Sequence, residues 1–157
     1  MTIAIRPAPV IRNFTVKATP ARAFDVFTAG IGRWWPRSHK TTVDELVDVV
    51  VEPGVGGRWY GKGADGTEET WGKVLAWEPP GRLVLAWQID ARFQYDPSLV
   101  TEVEIRFTAQ ADGTTAVAFE HRDLERFGEA AEQVRGMIGG DGGWPMILDL
   151  YAEAAAA

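Results

Sequence analysis

Apolar and polar positions alternate over residues 10–17, with Val10, Phe14 and Val16 on one side, and this predicts a strand. Thr19-Pro20 then reads as a helix start, since Thr offers an oxygen to the unpaired amides and Pro suits the first helical position. Phe24 and Phe27 form the stripe of that helix, with Val26 beside them. Gly30-Ile31-Gly32 breaks it, and Arg33-Trp34-Trp35-Pro36 follows as a short second helix or turn. From residue 46 the pattern changes to strands over 46–52, 57–62, 69–77, 82–89, 100–109 and 114–121. Between them stand Pro53-Gly54, Asp65-Gly66, Pro79-Pro80-Gly81 and Asp112-Gly113. Asp65-Gly66 predicts a two-residue hairpin turn with positive φ at both central positions.

The last third differs. Residues 123–137 are polar, with Leu124, Phe127, Val134 and Met137 spaced loosely as a helix. A flexible glycine break spans 139–143. In the final helix Trp144, Ile147, Leu148 and Tyr151 fall at i, i+3, i+4 and i+7, one continuous stripe. Pro145 fits there because amides of the first turn have no intrahelical partner. The order is strand, two short helices, about six strands, then a terminal helix. This is an α+β pattern in which the helix covers the inner face of an antiparallel sheet. No repeat or linker interrupts it, so residues 1–157 are expected to form one domain.

Composition narrows the function classes. A chain of 157 residues suits one core. It has no cysteine, which excludes disulfides, thiolate metal sites and a cysteine nucleophile. Sixteen Lys and Arg stand against 22 Asp and Glu, a net charge of -6, which argues against a nucleic-acid partner. No apolar run approaches the roughly 18 residues a bilayer span needs, so no membrane partner is expected. Met1 to Pro9 lacks a signal-peptide core, and a cytoplasmic location follows as the expectation.

Candidate chemistry is sparse. Gly61-x-Gly63-x-x-Gly66 matches a dinucleotide fingerprint by letters, but it lies between two strands, where no helix N-terminus meets a phosphate. Asn13-Phe14-Thr15 is an incidental sequon within a strand. No nucleophile elbow and no metal-binding pair of histidines occurs, and neither cofactor nor metal is implied. His39 sits in a polar loop and reads as solvated. His121 shares parity with Val117 and Phe119 and so points inward. It is either a wall histidine with a structural partner or a donor or base facing a cavity. Glu102 and Glu104 share an outward, solvated strand face. Tyr95 stands in a loop from which it either rims a pocket or does nothing.

The seven tryptophans carry the main signal. Trp87 shares parity with Leu83, Leu85 and Ile89 and faces inward; Trp144 opens the covering stripe. Trp34 and Trp35 are adjacent, so only one of them is expected inside. For Trp71 and Trp77 the competing face holds Gly72, Val74 and Ala76, and both choices stay open, as does the place of Trp59. These rings either fill the core or line a cavity left under the helix.

Five pieces together resemble a known family. Residues 18–27 are similar to its helix entry, and Arg33-Trp34-Trp35-Pro36 to its paired-tryptophan element. Residues 52–60 are similar to its Pro-Gly-Gly-Arg strand. Residues 72–87 are similar to its Gly-x-Val, Pro-Pro and Trp segment. Gly143-Trp144 matches the opening of its last helix. Over about residues 10–155 the chain resembles homologues of the activator of the heat-shock chaperone ATPase, within the START-like (SRPBCC, Bet v-like) superfamily. The resemblance implies a helix-grip fold, a curved antiparallel sheet of about seven strands wrapped around a long C-terminal helix, with a cavity between them.

Three functions follow as expectations. The first is binding of a small hydrophobic or aromatic molecule by Trp35, Trp71, Trp87, Tyr95, Phe107, Phe119, His121, Trp144, Ile147, Leu148 and Tyr151. The second is a cyclase, dehydratase or hydrolase using the same cavity, and binding is placed ahead of it. The third, implied by the resemblance alone, is a chaperone-linked interaction module. It ranks last because the N-terminal domain with which the eukaryotic activator grips its client is not expected in this chain. A homodimer is possible through a sheet edge or the last helix, and residues 123–137 are a candidate pocket lid.

Overall fold

A computed structural model describes residues 7–41 and 44–157 of the chain. Residues 1–6, part of the stretch read above for a signal peptide, lie outside the described residues. Seven strands form one antiparallel sheet: β1 Val10–Val16, β2 Leu46–Val51, β3 Arg58–Gly63, β4 Glu68–Glu78, β5 Arg82–Trp87, β6 Thr101–Ala109 and β7 Thr115–Arg122. Their order across the sheet is β1-β7-β6-β5-β4-β3-β2. Two short helices, α1 Pro20–Phe27 and α2 Ile31–Trp34, follow β1. After β7 come a 3-10 helix, Leu124–Ala130, then α3 Ala131–Ile138, and finally α4 Trp144–Ala156. This is the expected α+β helix-grip architecture.

Local chemistry accounts for the main element starts. Thr19 caps α1 by accepting the Arg22 amide at 3.3 Å, with Pro20 opening the helix. The stripe of α4 is buried as its spacing requires, through Trp144, Ile147, Leu148 and Tyr151. Tyr151 lies against Phe14, Phe27 and Trp34 and donates its hydroxyl to Ala23 O at 2.8 Å. That bond ties α4 to α1 across the concave face, and burial raises the phenol pKa.

Four expectations need correction. Asp65 does not adopt positive φ; only Gly66 does, at 87°. Gly66 N donates to Gly63 O and Gly63 N to Thr67 O, so the loop is one residue longer than a two-residue turn, with glycine alone in the left-handed position. Trp34 and Trp35 are both inside, at 6% and 4% exposure. Trp34 ends α2, whereas Trp35 is already extended (φ −59°, ψ 129°), so adjacent rings enter different parts of the core. Glu104 lies on the outward face yet is buried, because arginine side chains cover it. The 139–143 segment is a hydrogen-bonded turn: Gly139 N and Gly143 N donate to Arg135 O and Gly140 O, and a Cβ on the buried Gly143 would overlap the Ile138 carbonyl.

The question of the β4 faces is resolved by two irregularities in register. One lies opposite Trp59/Tyr60 and the other between Val74 and Ala76. Each breaks the period of two, so residues from both parities turn inward. Trp71 meets Trp35 and Trp59, Val74 is buried, and Trp77 packs edge-on against Phe24.

Candidate functional site

At the N-terminal end of α4 the concave face stays open. A cleft of about 410 Å³ lies there, within the range of small-molecule sites. One wall is sheet: Trp71 of β4, Trp87 of β5, and Ile89 just beyond it. The opposite wall is Trp144 and Ile147 of α4 with Met137 and Ile138 at the end of α3. Trp35 forms the floor beside the loop Ser38, His39, Lys40 and Thr41, and Phe93 stands at the mouth.

The indoles are held by one another and by hydrogen bonds. Trp35 lies 5.4 Å from Trp71 and 6.0 Å from Trp144, and Trp87 lies 5.5 Å from Trp144. Trp59 backs the cluster, within 6 Å of Trp35, Trp71 and Trp87. These tilted and edge-on arrangements suit ring quadrupoles. Trp35 Nε1 donates to His39 O at 2.9 Å, and Trp71 Nε1 to Thr41 Oγ1 at 3.0 Å. Gly61 makes room for the Trp71 ring, since a Cβ there would lie 2.6 Å from it. Among the described residues, Trp59 Nε1 is the buried side-chain polar atom without a hydrogen-bond partner.

His121 is wholly buried, as its strand parity implies, but it is not part of the cleft wall. Its Nδ1 accepts the Trp144 indole N–H at 3.0 Å. Its Nε2 therefore carries the proton and donates to Thr101 Oγ1 at 2.8 Å, and Thr101 donates to Trp87 O at 3.0 Å. Burial pushes the imidazole pKa down to about 3. A neutral ring with both nitrogens engaged is a strut joining α4 to β5, β6 and β7. It cannot serve as a base near neutral pH.

The other predicted residues divide by place. Trp35, Trp71, Trp87, Trp144 and Ile147 converge on the cleft. Phe107, Phe119, Leu148 and Tyr151 are buried in the core behind it. Phe119 lies 4.6 Å from Trp144 with the rings tilted by 52°, and Phe107 meets Phe24 and Phe27, so both rings face core neighbours. Tyr95 bridges Ile89 on the backbone but leaves its side chain 42% exposed outside the cleft; Phe93 occupies the mouth instead.

Sequence reasoning missed the loop at 38–41. His39 is not simply solvated: Ser38 Oγ donates to its Nδ1 at 2.9 Å, and its Nε2 donates to Gly142 O at 2.6 Å. This bond joins the loop after α2 to the turn before α4 across one side of the cleft. The available signal was the neighbouring Trp35, a buried ring that some following segment had to cover. Met137, the last residue of the 123–137 segment, reaches the cleft wall together with the adjoining Ile138. Among the described residues no group of His, Asp and Glu could hold a metal. No described helix is long and apolar enough to cross a membrane.

The outward sheet face carries a separate charged network. The Glu104 carboxylate is met by Arg82 Nε at 2.6 Å, by Arg122 at 3.0 Å and by Arg106 at 3.3 Å. Arg122 also meets Glu102 at 2.8 Å. Burial works against the Glu104 carboxylate, but the bonds from Arg82 and Arg122 outweigh it and hold its pKa below the ordinary value. With three arginines around it, Glu104 is a structural anion and has no role as half of an acid–base pair.

Comparisons with known proteins agree with this architecture. Residues 17–155 match the family described as Activator of Hsp90 ATPase homolog 1-like protein. The chain is similar to the solved structure of Txn09, an anthrahydroquino-γ-pyrone synthase complexed with a ligand abbreviated SUM. The identity is 34% over 95% of this chain and 97% of that one, with a TM-score of 0.67. It is also similar to CalC, a self-sacrificing resistance protein from Micromonospora echinospora. That identity is 31% over 94% and 93% of the two chains, with a TM-score of 0.66. Protein MLL2253 from Mesorhizobium loti shares the fold at 20% identity over 94% and 96%, with a TM-score of 0.66. No curated protein matches the chain. Members of this SRPBCC fold bind hydrophobic ligands.

Proposed function

The chain belongs to the Activator of Hsp90 ATPase homolog 1-like family, and from that premise we propose that it binds a flat, mainly apolar aromatic molecule at the N-terminal end of α4. One observation carries this reading. Four indoles, Trp35 just after α2, Trp71 of β4, Trp87 of β5 and Trp144 of α4, converge on a single open cleft. Rings that only filled a core would have no reason to leave space between them. A planar ligand gains about 0.5–1.5 kcal/mol for each aromatic neighbour beyond the area it buries. The likeness to Txn09, a synthase named for a fused-ring compound, supports the same ligand class.

The likeness to a synthase also favours a catalytic reading, in which the same cleft orients an aromatic substrate. His121 would not be the acid or base of such a reaction, for the reasons given above. The chaperone-linked reading is supported by the family description alone.

Titration with fused-ring aromatics, followed by tryptophan fluorescence, tests the proposal. Wild type is expected to show saturable quenching, and Trp87→Ala to weaken binding about tenfold or more. Absence of a saturable response across bicyclic, tricyclic and tetracyclic probes would overturn it.

A further inference from the structure

The polar groups of the cleft are confined to one side, the loop at 38–41, and they differ from the rest of the surface in sign. The chain carries a net charge of -6, yet among the described lining residues Lys40 is a full cation and no carboxylate is present. Lys40 Nζ donates to Asp44 O at 2.7 Å. That partner is a carbonyl dipole, so the bond aims the ammonium without discharging it, and two further protons remain on the nitrogen. The Asp44 side chain is itself engaged with Asp65.

Around it Thr41 leaves one donor open, and two carbonyl acceptors are already taken. Thr41 Oγ1 already accepts the Trp71 indole proton, so its own proton points away from that ring. The Gly142 carbonyl at the same mouth is taken by His39, and the Trp35 indole proton by His39 O. This end of an otherwise apolar cleft thus carries a positive charge, with Lys40 Nζ and the Thr41 hydroxyl as its open donors. A ligand oxygen bearing negative charge is what such an end can satisfy.

We propose that the ligand carries an acidic oxygen, a carboxylate or phenolate, and that Lys40 selects for it. The inference rests on the aromatic-binding reading above. Lys40 sets specificity and the indoles supply most of the affinity.

A matched pair of probes separates the two claims. 2-Naphthoate and 2-naphthamide have the same ring and nearly the same shape, but one is an anion at pH 7.5. Calorimetry at low salt is expected to show wild type binding the naphthoate about tenfold tighter. Lys40→Gln should abolish that preference while leaving the naphthamide affinity within about twofold, and Lys40→Arg should keep most of it. Equal affinities in wild type, or a preference that survives Lys40→Gln, would overturn the role of Lys40 and leave the aromatic cleft standing. Failure of both probes and of the larger ring panel would remove both claims together.

Discussion

Trp144 donates its indole proton to Nδ1 of His121 at 3.0 Å, and so the first residue of α4 is fastened to the inner face of β7. The bond needs a neutral imidazole. Protonating Nδ1 would set one N–H against another inside the core. The folded pKa, about 3, lies below the ordinary histidine value of 6.5. The contribution of His121 is therefore complete above about pH 6.5 and is lost as pH falls towards the folded value. Urea unfolding should show wild type losing about 2 kcal/mol between pH 7 and 5. His121→Gln should be less stable at pH 7 and nearly flat over the same range. An equally steep loss in the variant would refute the assignment.

Phe93 stands at the mouth of the cleft with φ of 62° and 57% exposure. Left-handed backbone is costly for a bulky residue. Here Asp90 holds it, accepting the Arg92 and Gln94 amides on Oδ1 and the Phe93 amide on its carbonyl. Phe93→Gly should relieve the strain, leaving thermal stability unchanged or raised by up to about 1 kcal/mol. It should weaken aromatic ligands about three- to tenfold. A loss of stability with unchanged affinity would mean that the ring serves the loop and not the cleft.

Glu104 offers a contrast on the outward face. Glu104→Gln leaves Arg82 and Arg122 facing each other without their shared anion, and should cost about 1–3 kcal/mol in urea unfolding at pH 7. Because its folded pKa is lowered, the stabilisation is full above the ordinary carboxylate pKa and disappears as pH falls through the folded value. Ligand affinity should not change, since the network lies outside the cleft. An altered affinity would show that the sheet transmits charge effects to the site.

Gly72 is the position least open to substitution. A Cβ there would overlap the carbonyl oxygen of Ala86, a backbone atom of the paired strand β5. Gly72→Ala should cost about 3 kcal/mol or more, or prevent folding, as read from soluble yield and circular dichroism. Normal stability would mean that the irregular register of β4 can shift to accept a side chain.

The architecture was legible in the sequence because its elements are governed by local periodicity. Alternation marked the strands, the spacing of Trp144, Ile147, Leu148 and Tyr151 marked α4, and Thr19-Pro20 marked the entry to α1. The inward direction of Trp87 and His121 followed from the same parity. Parity failed for β4, where two irregular pairings let Trp71, Val74 and Trp77 all turn inward. It also failed for Trp34 and Trp35, because a change of backbone at a helix end separates two adjacent rings.

By itself the sequence determined a covered antiparallel sheet with an aromatic interior, since hydrophobic period and turn chemistry act between near neighbours. Only the tertiary structure decided where that interior stays open. Core and cleft are lined by the same residue types, and the difference between Phe119 and Trp35 is whether a distant segment fills the space beside the ring. For the same reason His39, Lys40 and Phe93 gave no local sign of the site. Their place depends on the loop after α2, the turn before α4 and the end of β5 meeting in space, and no periodicity along the chain records that meeting.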